Sequence, residues 1–135
     1  MRKRVVILAS GTGSITQAII DATDLDIQII AVVSDKADAK VLDRARQAKI
    51  NTSVIELKDD RAAWDKQLFD QVNQYQPDLV ISAGFMKILS ADFVNFFPTI
   101  NSHPALLPDF PGAHAVRDAL AAGVTVTGVT VHWVD

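Results

Sequence analysis

The chain has 135 residues, 49% of them hydrophobic and 21% charged, so it carries material for one sizeable core and the composition argues against disorder. Thirteen Lys and Arg against sixteen Asp and Glu leave a formal charge of −3. That balance argues against nucleic acid as a partner, because phosphate neutralisation needs clustered cations. Cysteine is absent, which excludes disulfides, thiolate nucleophiles and Cys-ligated zinc, and is compatible with a cytoplasmic setting.

The opening MRKRVVILAS places basic residues before an apolar run, Val5 to Ala9, that is too short for a signal peptide. It reads as a buried strand over residues 4–9, broken by SGTGS (10–14) and followed by a helix over 15–22. A second buried strand is expected at 27–34, a helix at about 37–48, and a short strand at 52–55. From 60 to 75, Trp64, Leu68, Val72 and Tyr75 recur at three- and four-residue steps, which predicts a helix with one apolar stripe against a sheet. The acidic residues of KDD (58–60) then fall at its solvated N-terminus, where negative charge is favoured. PDLVISAG (77–84) predicts a strand ending in a glycine turn. A short helix follows at 91–96, then a short strand at 99–101 and a helix at 113–122 closed by Gly123.

Strand and helix alternating in this way predict an α/β fold: a doubly wound, Rossmann-like, mostly parallel sheet with helices on both faces. The tail VTVTGVTVHWVD (124–135) alternates apolar and polar residues, the pattern of a half-exposed strand open to an antiparallel place. The expectation is a soluble protein, since no run approaches the ~20 apolar residues of a membrane helix. The chain stops at Asp135 straight after a strand pattern, so the expected organisation is a single domain over 1–135 lacking its C-terminal part.

Two stretches carry chemistry. Gly11 and Gly13 let the backbone approach a ligand, and the helix that follows offers free N–H groups and partial positive charge. The turn suits the phosphate of a small molecule. It lacks the third glycine of a dinucleotide fingerprint, and a tight turn that binds nothing is the other reading. In NSHPALLPDFPG (101–112), three prolines stiffen a loop entered by Asn101 and His103. These two residues share a side if the strand runs through them, and Pro104 holds His103 extended. An imidazole that exchanges protons near neutrality beside an oxyanion-binding carboxamide suits acyl transfer through a tetrahedral intermediate. A histidine satisfied by local backbone is the alternative. His114 reads as a helix-terminal residue, and His132 as a strand residue or a ligand contact. Three histidines this scattered do not predict a metal site.

ILASGTGS, AGFMKIL (83–89), NSHPALLPDFPGAHA (101–115) and GVTVHWVD (128–135) stand in an order and spacing that resemble the phosphoribosylglycinamide formyltransferases of the folate-dependent formyltransferase superfamily. The resemblance spans essentially the whole chain. It implies transfer of a formyl group from 10-formyltetrahydrofolate, as co-substrate, to the amine of 5-phosphoribosylglycinamide (GAR) in purine biosynthesis, by a monomer or homodimer. It further implies that Gly11, Gly13, Ser14, Ile15 and Thr16 hold the GAR phosphate, with His132 near the glycinamide. Arg61, Met86, Lys87, Ile88, Leu89 and Asn101 would line the folate site. His103 would be the general acid and Asn101 the holder of the formyl oxygen. No metal is implied; because the amine attacks directly, alignment supplies much of the rate.

The chain departs from the family pattern in three places. Ile15 stands where an Asn is usual, and Lys87 replaces a common Arg, keeping the charge but losing the planar fork. The family's catalytic Asp would lie beyond Asp135, so little turnover is expected of these residues alone. A sister folate formyltransferase, a formyltetrahydrofolate hydrolase and a non-catalytic phosphate-binding module are the alternatives.

Overall fold

The structure, a computed structural model, describes residues 3–22, 26–87 and 89–102, with main chain only at 101 and 102. The expected helix at 113–122, the tail strand at 124–135, and Ile88, His103, His114 and His132 lie outside the described residues.

Five strands form one sheet: β1 (Lys3–Leu8), β2 (Ile27–Ser34), β3 (Asn51–Val54), β4 (Leu79–Ala83) and β5 (Thr99–Ser102). Their order is β3-β2-β1-β4-β5, and every pairing is parallel. Helices α1 (Ser14–Asp21), α2 (Lys40–Gln47), α3 (Arg61–Tyr75) and α4 (Ala91–Phe96) connect them.

Period-two alternation divides the apolar strands between two cores. Val5, Ile7, Val32, Leu79, Ile81 and Ile100 pack with Ile15 and Ile19 of α1 and with Val41, Leu42 and Ala45 of α2. Val6, Leu8, Ala31, Val33 and Val80 pack on the opposite face with Trp64, Leu68 and Val72 of α3 and with Phe93 of α4. Strands covered on both faces read as continuous apolar runs, which is why β1, β2 and β4 showed no alternation in sequence.

The expected stripe on α3 is therefore core, apart from half-buried Tyr75, whose hydroxyl lies 2.6 Å from Ser53 Oγ. Asp60 caps α3 by accepting from the Ala63 N–H at 3.2 Å, as the acidic run predicted. Helix α2 starts at Lys40 rather than near 37, because Ser34 Oγ takes up the Lys36 N–H at 3.1 Å and turns the chain first. At the amino-terminal rim, Arg4 donates to the carbonyls of Tyr75 and Gln76 at 2.6 and 3.1 Å and so satisfies the end of α3. Among the described residues, no helix is long and apolar enough to cross a membrane.

Candidate functional site

From β1 the chain winds outward through β2 to β3, then returns to lay β4 on the other side of β1. At such a reversal the loops leave the strand ends in opposite directions and open a crevice at the carboxyl rim. Here the walls of that crevice are the turn after β1 and the segment after β4. Ser10 joins them: its N–H donates to the Gly84 carbonyl at 3.3 Å, and its Oγ accepts from the Met86 N–H at 2.8 Å.

The turn after β1 brings together the five residues expected to hold a phosphate. Gly13 is the N-cap of α1 at φ +83°, a left-handed position, and no side chain caps the helix. A Cβ at Gly13 would stand 2.6 Å from Val41 Cγ2 on α2, so the glycine is demanded by both backbone and space. The first N–H groups of α1 stay open to an anion, reinforced by the helix dipole. Ser14 is exposed, whereas Ile15 is 7% exposed and turns into the core, so Ile15 offers a ligand only main chain. Thr16 Oγ1, in the first turn of α1, is buried without a hydrogen-bond partner among the described residues.

The segment after β4 leaves through Gly84 at φ +71°. Phe85 stacks on Trp64 with ring centroids 6.1 Å apart, while Met86, 74% exposed, presents an apolar side chain to solvent at the rim. Leu89 is buried in the core beneath α3 and α4. Arg61 reaches this segment through Trp64: its guanidinium lies 4.8 Å from the indole centroid, and its Nε pairs with Asp65 at 2.8 Å. Asn101 lies at the end of β5, in register with Ser82 of β4, which is itself in register with Leu8 of β1.

Two residues that sequence reasoning missed complete the rim. Asp35, directly after β2, forms an ion pair with Lys87 from the segment after β4. Burial alone would raise its pKa, but hydrogen bonding from Lys87 and Ser10 and the Lys87 charge outweigh it, holding the carboxyl below its ordinary value. Asp35 Oδ1 is nonetheless without a hydrogen-bond donor among the described residues. The second missed residue is Arg44 of α2, whose Nε donates to the Thr12 carbonyl at 2.6 Å. The signal for Asp35 was its place one residue past a strand end, on the rim where such sheets bind ligands. Among the described residues, no three His, Cys, Asp or Glu side chains gather to hold a metal ion.

A model of the formyl transferase family matches residues 3–135. The phosphoribosylglycinamide formyltransferase of Mycobacterium tuberculosis is 46% identical over 138 residues, covering 98% of this chain and 64% of its own length. That of Escherichia coli is 45% identical over 137 residues, covering 96% and 65%. The crystal structure of the Brucella melitensis phosphoribosylglycinamide formyltransferase superposes with a TM-score of 0.73 at 38% identity, covering 91% of this chain and 68% of that one. The chain thus spans a little under two thirds of the length of the curated relatives it matches.

Proposed function

Because this chain belongs to the formyl transferase family, we propose that it serves the transfer of a formyl group from 10-formyltetrahydrofolate to the amine of 5-phosphoribosylglycinamide, a cytoplasmic step of purine biosynthesis. The observation that carries the reading is the arrangement of the carboxyl rim: an uncapped glycine turn after β1, then the exposed Met86 segment after β4, then Asn101 on β5. Adjacent strands lie about 4.8 Å apart, so β1 and β5 stand roughly 10 Å apart, a span that a sugar phosphate carrying a short amide can bridge.

In this reading the main chain of Gly11, Gly13, Ser14, Ile15 and Thr16 takes the GAR phosphate, and His132 lies near the glycinamide. Arg61 and the segment Met86, Lys87, Ile88 and Leu89 take the folate, whose ring has the Met86 side chain to pack on. The amine nitrogen attacks the formyl carbon, and Asn101 donates a hydrogen bond to the oxygen as it becomes an oxyanion. The bond from carbon to the folate nitrogen then breaks, His103 delivers a proton to that nitrogen, and the former amine sheds one to solvent. Loss of an oriented acid or of an oxyanion donor costs about 10²–10⁴-fold and 10²–10³-fold in rate respectively. The test is an assay of the full-length protein with GAR and 10-formyltetrahydrofolate. Turnover that falls on this scale in His103→Ala and Asn101→Ala supports the reading, and a wild-type protein that transfers no formyl group overturns it.

A further inference from the structure

We infer that Arg44 is a positioning residue that sets the glycine turn for its ligand by holding the turn's carbonyls on the α2 side. The inference rests on the turn being the phosphate site proposed above, and it adds a device on a different helix. Val41, in the first turn of α2, donates its N–H to the Gly11 carbonyl at 3.1 Å. One helical turn on, Arg44 Nε donates to the Thr12 carbonyl at 2.6 Å, and its Nη1 reaches Gln17 Oε1 on α1 at 3.4 Å.

No peptide bond among the described residues is cis, and in a trans peptide the C=O and the following N–H point to opposite sides. Two consecutive carbonyls tied to α2 therefore turn the N–H groups of Thr12 and Gly13 away from it. With the uncapped first turn of α1, these become the donors that a ligand on the turn can use. Among the described residues Arg44 makes no ion pair. Its cation is committed to a main-chain oxygen. The planar guanidinium suits this task because one rigid fork spans Thr12 on the turn and Gln17 on α1, whereas an ammonium is a single point.

The test compares wild type, Arg44→Lys and Arg44→Gln in the full-length protein, by titration with ribose 5-phosphate and, separately, with 10-formyltetrahydrofolate. Arg44→Gln is expected to bind ribose 5-phosphate roughly tenfold more weakly, equivalent to about 1.4 kcal/mol. Arg44→Lys falls between it and wild type, and folate binding is unchanged in both. Arg44→Lys equal to wild type would mean that charge alone suffices, and overturns the inference. So does an Arg44→Gln variant that binds the sugar phosphate normally, or one that loses both ligands alike, which marks general unfolding. A wild-type protein blind to ribose 5-phosphate overturns it together with the phosphate reading. Should the protein rank the three forms as expected yet transfer no formyl group, the reaction proposed above falls and the brace stands.

Discussion

Gly13→Ala is the substitution for which the structure supplies a magnitude. The added methyl would meet Val41 Cγ2 at 2.6 Å, Val41 Cβ at 2.8 Å and Val41 Cα at 2.9 Å. A rotamer change can swing Cγ2 aside but cannot move Cβ or Cα, and retreat of α2 would stretch the bond from the Val41 N–H to the Gly11 carbonyl. The left-handed φ of +83° adds about 1–2 kcal/mol for any residue with a Cβ. Overpacking against a fixed backbone adds about 1–3 kcal/mol, so the total is about 2–5 kcal/mol, a large part of an ordinary domain's ~5–15. Two other glycines separate the contributions. Gly84 sits at φ +71° with open space around it, so Gly84→Ala should cost only the ~1–2 kcal/mol of backbone strain. Gly11 has open space and no left-handed φ, and Gly11→Ala should stay within about 1 kcal/mol of wild type. Equilibrium urea unfolding of the three variants measures the series. A Gly13→Ala variant no less stable than Gly84→Ala would refute the claim that Val41 forms an unyielding wall behind the turn.

Asp35→Asn should flatten the acid limb of the stability profile. A folded-state pKa held below the ordinary value means that the unfolded chain takes up the proton first. The wild-type contribution is therefore whole above about pH 4 and drains away as pH falls through the lower folded value. Urea unfolding at pH 7 and pH 3 should show a smaller stability difference for the variant; a difference equal to wild type's would contradict the assignment. Trp64→Phe removes the Nε1 donor to the Ile55 carbonyl, at 2.7 Å, from a side chain 2% exposed. It should cost about 1–3 kcal/mol in the same measurement, from the orphaned carbonyl and the space left beside Phe85.

How much of this was legible depended on how local the cause was. Trp64, Leu68 and Val72 announced α3 because a helix returns to one face every three or four residues. The end of β2 was readable because the apolar run from Ile29 to Val33 has no polar interruption until Ser34, although exposed Gln28 breaks the run near its start. The start of α2 was not readable, since it depends on a hydroxyl of Ser34 competing for the Lys36 N–H. Nor were Asp35 and Arg44 as members of the site: each acts on a partner 52 or 32 residues away, and only the strand order brings them together. The glycines were legible as a turn, but that Gly13 is walled by Val41 while Gly11 is open needed the packing of α2.

With the glycine turn, the Met86 segment and Asn101 on one rim, the other rim is available as a vantage point. Lys49, exposed at φ +61° in the turn leading into β3, lies at that far end. Because these residues contain no cysteine, a thiol introduced there would be unique among them, and a fluorophore attached to it could follow ligand arrival without obstructing the crevice.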